Sequence, residues 1–160
     1  MNLQENIQRI KEMMGIIVEN YYDPKKLYVD MGGVLFKKMG ADEGGSGDDT
    51  DYIGSELWES IKKYNPIILT STGSKNIKNS KEIKTKQVQD YLKPTPKVEF
   101  VVFGPDKKIF ATTTHDDSVY PNILIDDSET NIKEWVNNGG IGILHKNNQT
   151  TLEQLKSYIK

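Results

Sequence analysis

The sequence predicts an α/β protein, a Rossmann-like three-layer parallel sheet in one domain covering residues 1–160. Three observations lead there. Short apolar runs of strand length, among them LYV at 27–29, IIL at 67–69 and ILI at 123–125, punctuate the chain. Between most of them lie segments whose apolar residues recur every three or four positions, and such alternation favours parallel strands joined by helices on both faces. Three strands also run into acids or hydroxyls, at Asp30, Thr70 and Asp126-Asp127. In an open parallel sheet the carboxyl ends of the strands face one crevice, so these residues converge despite their separation in sequence.

In chain order, residues 1–20 form an N-terminal helical segment with Leu3, Ile7, Ile10 and Met14 on one face and Gly15 as its terminator. The first strand covers 27–30. Residues 37–54, crowded with glycine and acid, read as a short flap insert. Ser55 is the expected N-cap of an amphipathic helix over 55–64 that buries Leu57, Trp58 and Ile61. The buried strand PIILTSTGS follows. Ile83, Val88 and Leu92 then mark a helix over 80–92, ended by Pro94 and Pro96. The remaining expectations are a strand over 97–104, a short helix in PDKKIFATTT, a strand over 122–127, a helix over 128–140, a strand over 141–145 and a final helix in TTLEQLKSYI.

Composition narrows the function. A chain of 160 residues buries about 70% of its unfolded surface and needs no staple. The absence of cysteine excludes a disulfide framework, a thiolate zinc site and a cysteine nucleophile. The amino terminus is too polar for a signal peptide or a membrane span, so a soluble cytoplasmic protein with no membrane partner is expected. A net charge of −2 argues against duplex nucleic acid as a partner. Arg9 is the sole arginine, so an anion must be held by lysines, hydroxyls, backbone amides or a metal.

Carboxylates and a hydroxyl near lysine suit a hard cation such as Mg²⁺ together with a phosphoryl group; zinc or copper would call for histidine or cysteine. Bland readings stand beside this one: Asp30 as a solvated strand-end acid, Thr70 as a turn residue, and Asp126-Asp127 as capping acids of the helix at 129–136.

The motifs VDMGGVLF, IILTST, GPDKKIFA and ILIDDSETNIKEW, in that order, resemble those of the haloacid dehalogenase-like (HAD) hydrolase superfamily over roughly residues 26–146. ILIDD with the following NNGGIGILH looks most like small nucleotidase-like and phage-encoded members, which would place the protein in a host cytoplasm. The resemblance implies a HAD-like fold with a minimal cap and the following site. Asp30 is the nucleophile that forms an aspartyl phosphate, and Thr70 binds a phosphate oxygen. Lys107 or Lys108 neutralises the phosphoryl charge, with Lys84 and Lys86 as alternatives. Asp30, Asp126, Asp127 and the Gly32 carbonyl hold Mg²⁺. Gly32, Gly33, Ser71, Thr72 and Gly73 surround a small phosphorylated metabolite or nucleotide.

One position departs from the pattern. Gly32 stands where phosphatases of this superfamily carry a second aspartate that protonates the leaving group. Impaired turnover, or binding and sequestration without catalysis, are the expected alternatives. Asp42, Glu43, Asp48, Asp49 and Asp51 of the flap, or His115, are the candidate replacement acids. Tyr52, Trp58 and Tyr120 are candidates to stack a base, whereas Trp135 reads as core. With so short an insert, either a sizeable ligand shields the site itself or a second subunit of a homo-oligomer covers it.

Overall fold

Alternating side chains divide the core into two apolar layers, one on each face of a sheet. The computed structural model describes residues 24–37 and 52–159. Its strands are β1 (Leu27–Val29), β2 (Ile67–Ser71), β3 (Val98–Val101), β4 (Thr112–His115), β5 (Ser118–Pro121), β6 (Ile123–Asp126) and β7 (Ile141–Leu144). Five of them form a parallel sheet in the order β3-β2-β1-β6-β7. The helices are α1 (Ser55–Ile61), α2 (Ile77–Tyr91), α3 (Glu129–Asn137) and α4 (Asn148–Tyr158), with 3₁₀ turns at Lys62–Tyr64 and Gly104–Phe110.

Leu27, Val29, Ile68, Ile123, Ile125 and Ile143 face one way and pack on Leu57, Trp58 and Ile61 of α1, Val88 of α2 and Leu155 of α4. Tyr28, Leu69 and Leu124 face the other way, onto Trp135 of α3 and Ala111. This period-two alternation in strands covered on both sides yields the three layers. Tyr28 meets the Trp135 ring edge-on at 5.5 Å, and the Trp135 indole N–H donates to the Asn122 carbonyl at 3.1 Å. Among the described residues no helix is long and apolar enough to cross a membrane.

Several expectations change. The N-terminal helical segment and most of the 37–54 flap, with its five acids, lie outside the described residues. Ser55 does not cap α1; Gly54 occupies the cap position without a side-chain bond, and Ser55 is the first helical residue. Helix α2 begins at Ile77 rather than 80, and the strand expected over 97–104 is confined to Val98–Val101. The 105–114 stretch is not one helix. A 3₁₀ turn ends at Phe110, and the chain enters an antiparallel hairpin, β4 with β5, whose turn residues Asp116 and Asp117 both have positive φ. The threonines of TTTH favour extended backbone, and aspartate tolerates the left-handed region better than most residues.

A buried asparagine joins the hairpin to the sheet. Asn122 is 1% exposed; its amide donates to the Phe110 carbonyl at 2.8 Å and to Thr113 Oγ1 at 2.9 Å, and its carbonyl oxygen accepts from the Lys26 amide at 2.9 Å. Asn122→Ala removes the side-chain partners of the half-buried Lys26 amide and Phe110 carbonyl and should destabilise the protein by about 1–3 kcal/mol. Urea unfolding with an unchanged slope would read this as a lower midpoint; an unaltered midpoint would show the side chain to be dispensable.

Candidate functional site

β1 and β6 lie side by side at the point where the sheet order reverses, and both end in carboxylates. The Asp30 amide continues the ladder by donating to the Ile125 carbonyl at 2.9 Å. Asp30 therefore stands next to Asp126, the last residue of β6. The crevice beyond such a switch point is where open α/β sheets take ligands. Here it is a cleft of about 450 Å³ lined by Asp30, Gly32, Thr70, Ser71, Lys84, Lys107 and Asp127, among others.

The 3₁₀ turn Gly104–Phe110 delivers Lys107 to this point. Its ammonium is buried, 2.7 Å from Asp30 Oδ1 and 2.6 Å from Asp126 Oδ2. Gly104 permits the approach, because a Cβ there would lie 2.5 Å from Asn131 Oδ1. Asn131, in the first turn of α3, donates to both oxygens of Asp126 at 3.2 and 3.0 Å, and the Ser128 amide adds a bond at 2.8 Å. Asp126 thus has two hydrogen bonds on each oxygen, filling the roughly four acceptor sites of a carboxylate. The N-cap of α3 is Ser128, which accepts from the Asn131 amide.

After β1 the chain turns sharply. The Met31 carbonyl accepts from the amides of Val34, Leu35 and Phe36, and the Gly33 amide donates to the Phe36 carbonyl at 2.7 Å. Gly33 has φ +83°, and a Cβ on it would sit 2.3 Å from Asp127 Oδ2. Glycine therefore serves twice here, for the left-handed backbone and for the room it leaves beside Asp127. Asp30, Asp126 and Asp127 each offer an oxygen within 4.8 Å of the others, a group that could hold a metal ion. An all-carboxylate donor set fits a hard cation.

Burial, followed by the charge of Asp126, pushes the Asp30 carboxyl up to about 6, against the opposing pull of Lys107 and Lys84. Burial works against the Lys107 ammonium, yet Asp30 and Asp126 hold its pKa above the usual lysine value. Burial also lowers the pKa of His145, with Asp127 opposing.

Of the residues singled out in the sequence, Asp30, Thr70, Lys107, Asp126 and Asp127 converge, with Gly32 and Ser71 on the cleft wall. Lys108 turns away to Glu134 at 3.0 Å, and Lys86 pairs with Asp90 along α2. The Thr72 hydroxyl is spent on the Gly73 and Val101 carbonyls, and the Gly73 amide on Val102, so this pair is drawn to the edge of β3. His115 ends β4 beside Asp116. Tyr52 stacks on Phe36 and Tyr91, Trp58 is core with its indole N–H on the Lys93 carbonyl, and Tyr120 belongs to the hairpin. Asn131 escaped the sequence reading. Its signal was its place in the first turn of the helix that leaves the Asp-Asp strand, where side chains can face back to the strand end.

A carboxyl whose folded pKa stands above its unfolded value lends stability that is complete below the unfolded value and lost as pH rises through the folded one. Asp30 therefore weakens the metal-free fold as pH climbs from the ordinary carboxylate range through about 6. His145 acts in the opposite sense, since a depressed histidine loses stability as pH falls below its unfolded value. With metal removed by chelator, the melting temperature of Asp30→Asn relative to wild type should increase between about pH 5 and about pH 7.5, a comparison in which His145 cancels. A difference independent of pH would contradict the burial of a charged Asp30.

No protein-family model matches the sequence, and no curated protein matches it. Among solved structures, an uncharacterized protein from Corynebacterium glutamicum is similar at 17% identity and a TM-score of 0.43, over 84% of this chain and 93% of that one. A likeness of that extent carries no functional argument.

Proposed function

We propose that the protein is a Mg²⁺-dependent phosphohydrolase of the HAD type, acting slowly on a small phosphorylated metabolite such as a nucleotide. The observation that carries this reading is the buried Asp30-Lys107-Asp126 triad at the carboxyl ends of β1 and β6, opening on a cleft that also presents Thr70. Perturbed, charge-paired groups in a cleft are the usual mark of a functional site.

In this reading an Asp30 oxygen attacks phosphorus, the ester oxygen departs, and water later cleaves the aspartyl phosphate. Lys107 fixes the orientation of Asp30 through its 2.7 Å contact. The Thr70 hydroxyl faces a phosphoryl oxygen. Asp30, Asp126, Asp127 and the Gly32 carbonyl would hold Mg²⁺, which supplies charge neutralisation at the phosphoryl group. Because Asp126 already accepts hydrogen bonds on both oxygens, Asp30 and Asp127 would bear most of that duty.

Gly32 lines the cleft without a carboxyl group. Among the described residues, the acids on the cleft wall are Asp30 and Asp127, both assigned to nucleophile and metal, and His115 lies in the hairpin turn. With no further acid on the described cleft wall, the leaving oxygen draws its proton from water or from an acid outside the described residues; loss of a positioned general acid forgoes about 10²–10⁴ in rate. The same observation favours a second reading, in which the protein binds and sequesters a phosphorylated ligand.

Gly32→Asp separates the two. For a phosphohydrolase lacking only its general acid, turnover of an activated aryl phosphate should rise at least about tenfold, equivalent to about 1.4 kcal/mol of barrier. That gain should vanish when Asp30→Asn is added and when Mg²⁺ is chelated. For a sequestering protein, the new carboxylate should weaken ligand binding with no turnover appearing. Fast wild-type hydrolysis of unactivated phosphomonoesters would contradict both and require an acid from elsewhere.

A further inference from the structure

Two lysines reach the cleft, and their charges are met very differently. Lys107 has a carboxylate on each side, at 2.7 and 2.6 Å, and is buried. Two anions already surround that one cation, so it has little net positive field to offer an incoming anion. Lys84, in the middle of α2, is partly buried on the cleft wall and donates to the Thr70 hydroxyl at 2.8 Å. A hydroxyl is a neutral partner, and among the described residues Lys84 forms no ion pair within contact distance. An ammonium has three donors, of which the Thr70 bond uses one.

We propose that Lys84, rather than Lys107, is the specificity-determining cation of the cleft. Its ammonium and the adjoining Thr70 hydroxyl together take the oxygens of a tetrahedral phosphoryl dianion, while Lys107 serves as a positioning residue for Asp30 and Asp126. This rests on the phosphoryl reading above and assigns which residue confers the affinity.

The helix supports the assignment. Gln87 follows Lys84 by three positions, a spacing that puts both on one face, and both line the cleft. A ligand oxygen at Lys84 would thus find an amide within the next turn. The second lysine also balances the site. Three carboxylates against Lys107 alone leave the cleft strongly negative, and Lys84 with a divalent cation turns it positive enough to accept a dianion. Burial lowers the Lys84 pKa and Lys107 adds to that, with Asp30 opposing, as expected for a cation short of counter-charge.

Titration calorimetry with inorganic phosphate, at saturating Mg²⁺, tests this on the whole chain. Lys84→Met should weaken phosphate binding by at least about tenfold, which is about 1.4 kcal/mol, without lowering the ligand-free melting temperature or the shift produced by Mg²⁺ alone. Lys84→Gln provides the same comparison if the methionine variant misfolds. Lys84→Arg should retain most of the binding, and Lys86→Met, on the side of the helix away from the cleft, should leave it unchanged. Equal phosphate affinity in wild type, Lys84→Met and Lys84→Gln would overturn the assignment while leaving the Asp30 chemistry standing. Wild type that binds Mg²⁺ but no phosphate would also overturn it. Phosphate binding that depends on Lys84, without turnover of any phosphoester, would uphold the assignment and defeat the hydrolase reading instead.

Discussion

The Lys107 ammonium lies between Asp30 and Asp126, and the architecture around the cleft is arranged so that this contact can exist. A buried ammonium is tolerated only with charge partners and satisfied hydrogen bonds. Both partners come from the ends of adjacent strands, while the lysine arrives on the 3₁₀ turn Gly104–Phe110, which packs against α3. Phe103 and Asp106 brace that turn, with each backbone amide donating to the other residue. Lys108, one position on, ties it to Glu134 of α3. Removing a partner from such a set leaves an uncompensated buried charge, which typically costs about 3–5 kcal/mol. The arrangement is therefore one that a fold retains for chemistry more readily than for stability.

The same contact sorts the carboxylates into roles. Asp126 is fully exposed to protein donors and closed to solvent, with Lys107, Asn131 and the Ser128 amide around it. Asp30 shares Lys107 but faces the cleft, and burial combined with a neighbouring anion raises its pKa. Asp127 sits one residue past the strand, against the turn at Gly33. Three acids that look equivalent as letters thus differ in solvent access and in hydrogen-bond load.

The turn after β1 couples the cleft to the base of the insert. Met31 gathers three amides on one carbonyl, which folds the chain back so that Gly32 meets the cleft and Phe36 pairs with Tyr52. The Ile53 and Gly54 amides then both donate to the Leu35 carbonyl at 2.9 Å. Phe36, Tyr52 and Tyr91 pack as tilted and edge-on rings at this junction, so the aromatic group joins the insert's two ends.

The strands were legible in the sequence because a doubly covered parallel strand must be apolar on both faces, and LYV, IIL and ILI have no other economical use. The convergence of Asp30, Thr70 and Asp126-Asp127 followed from topology alone, since parallel strands bring their carboxyl ends to one edge whatever the loops do. The hairpin over 112–121 was not legible, because four-residue strands without a strong apolar alternation leave little periodicity to read. Nor could the sequence choose between Lys107 and Lys108. Adjacent residues on a tight 3₁₀ turn point in divergent directions, and the assembled layers set the Lys107 ammonium between Asp30 and Asp126 and the Lys108 ammonium on Glu134. Lys84 and Asn131 belong to the same class, side chains on helices whose distance to a strand end depends on how the layers dock. Local pattern carries the strands and their order of polar endings; the pairing of charges is a property of the assembled layers, where burial makes each ångström of approach matter.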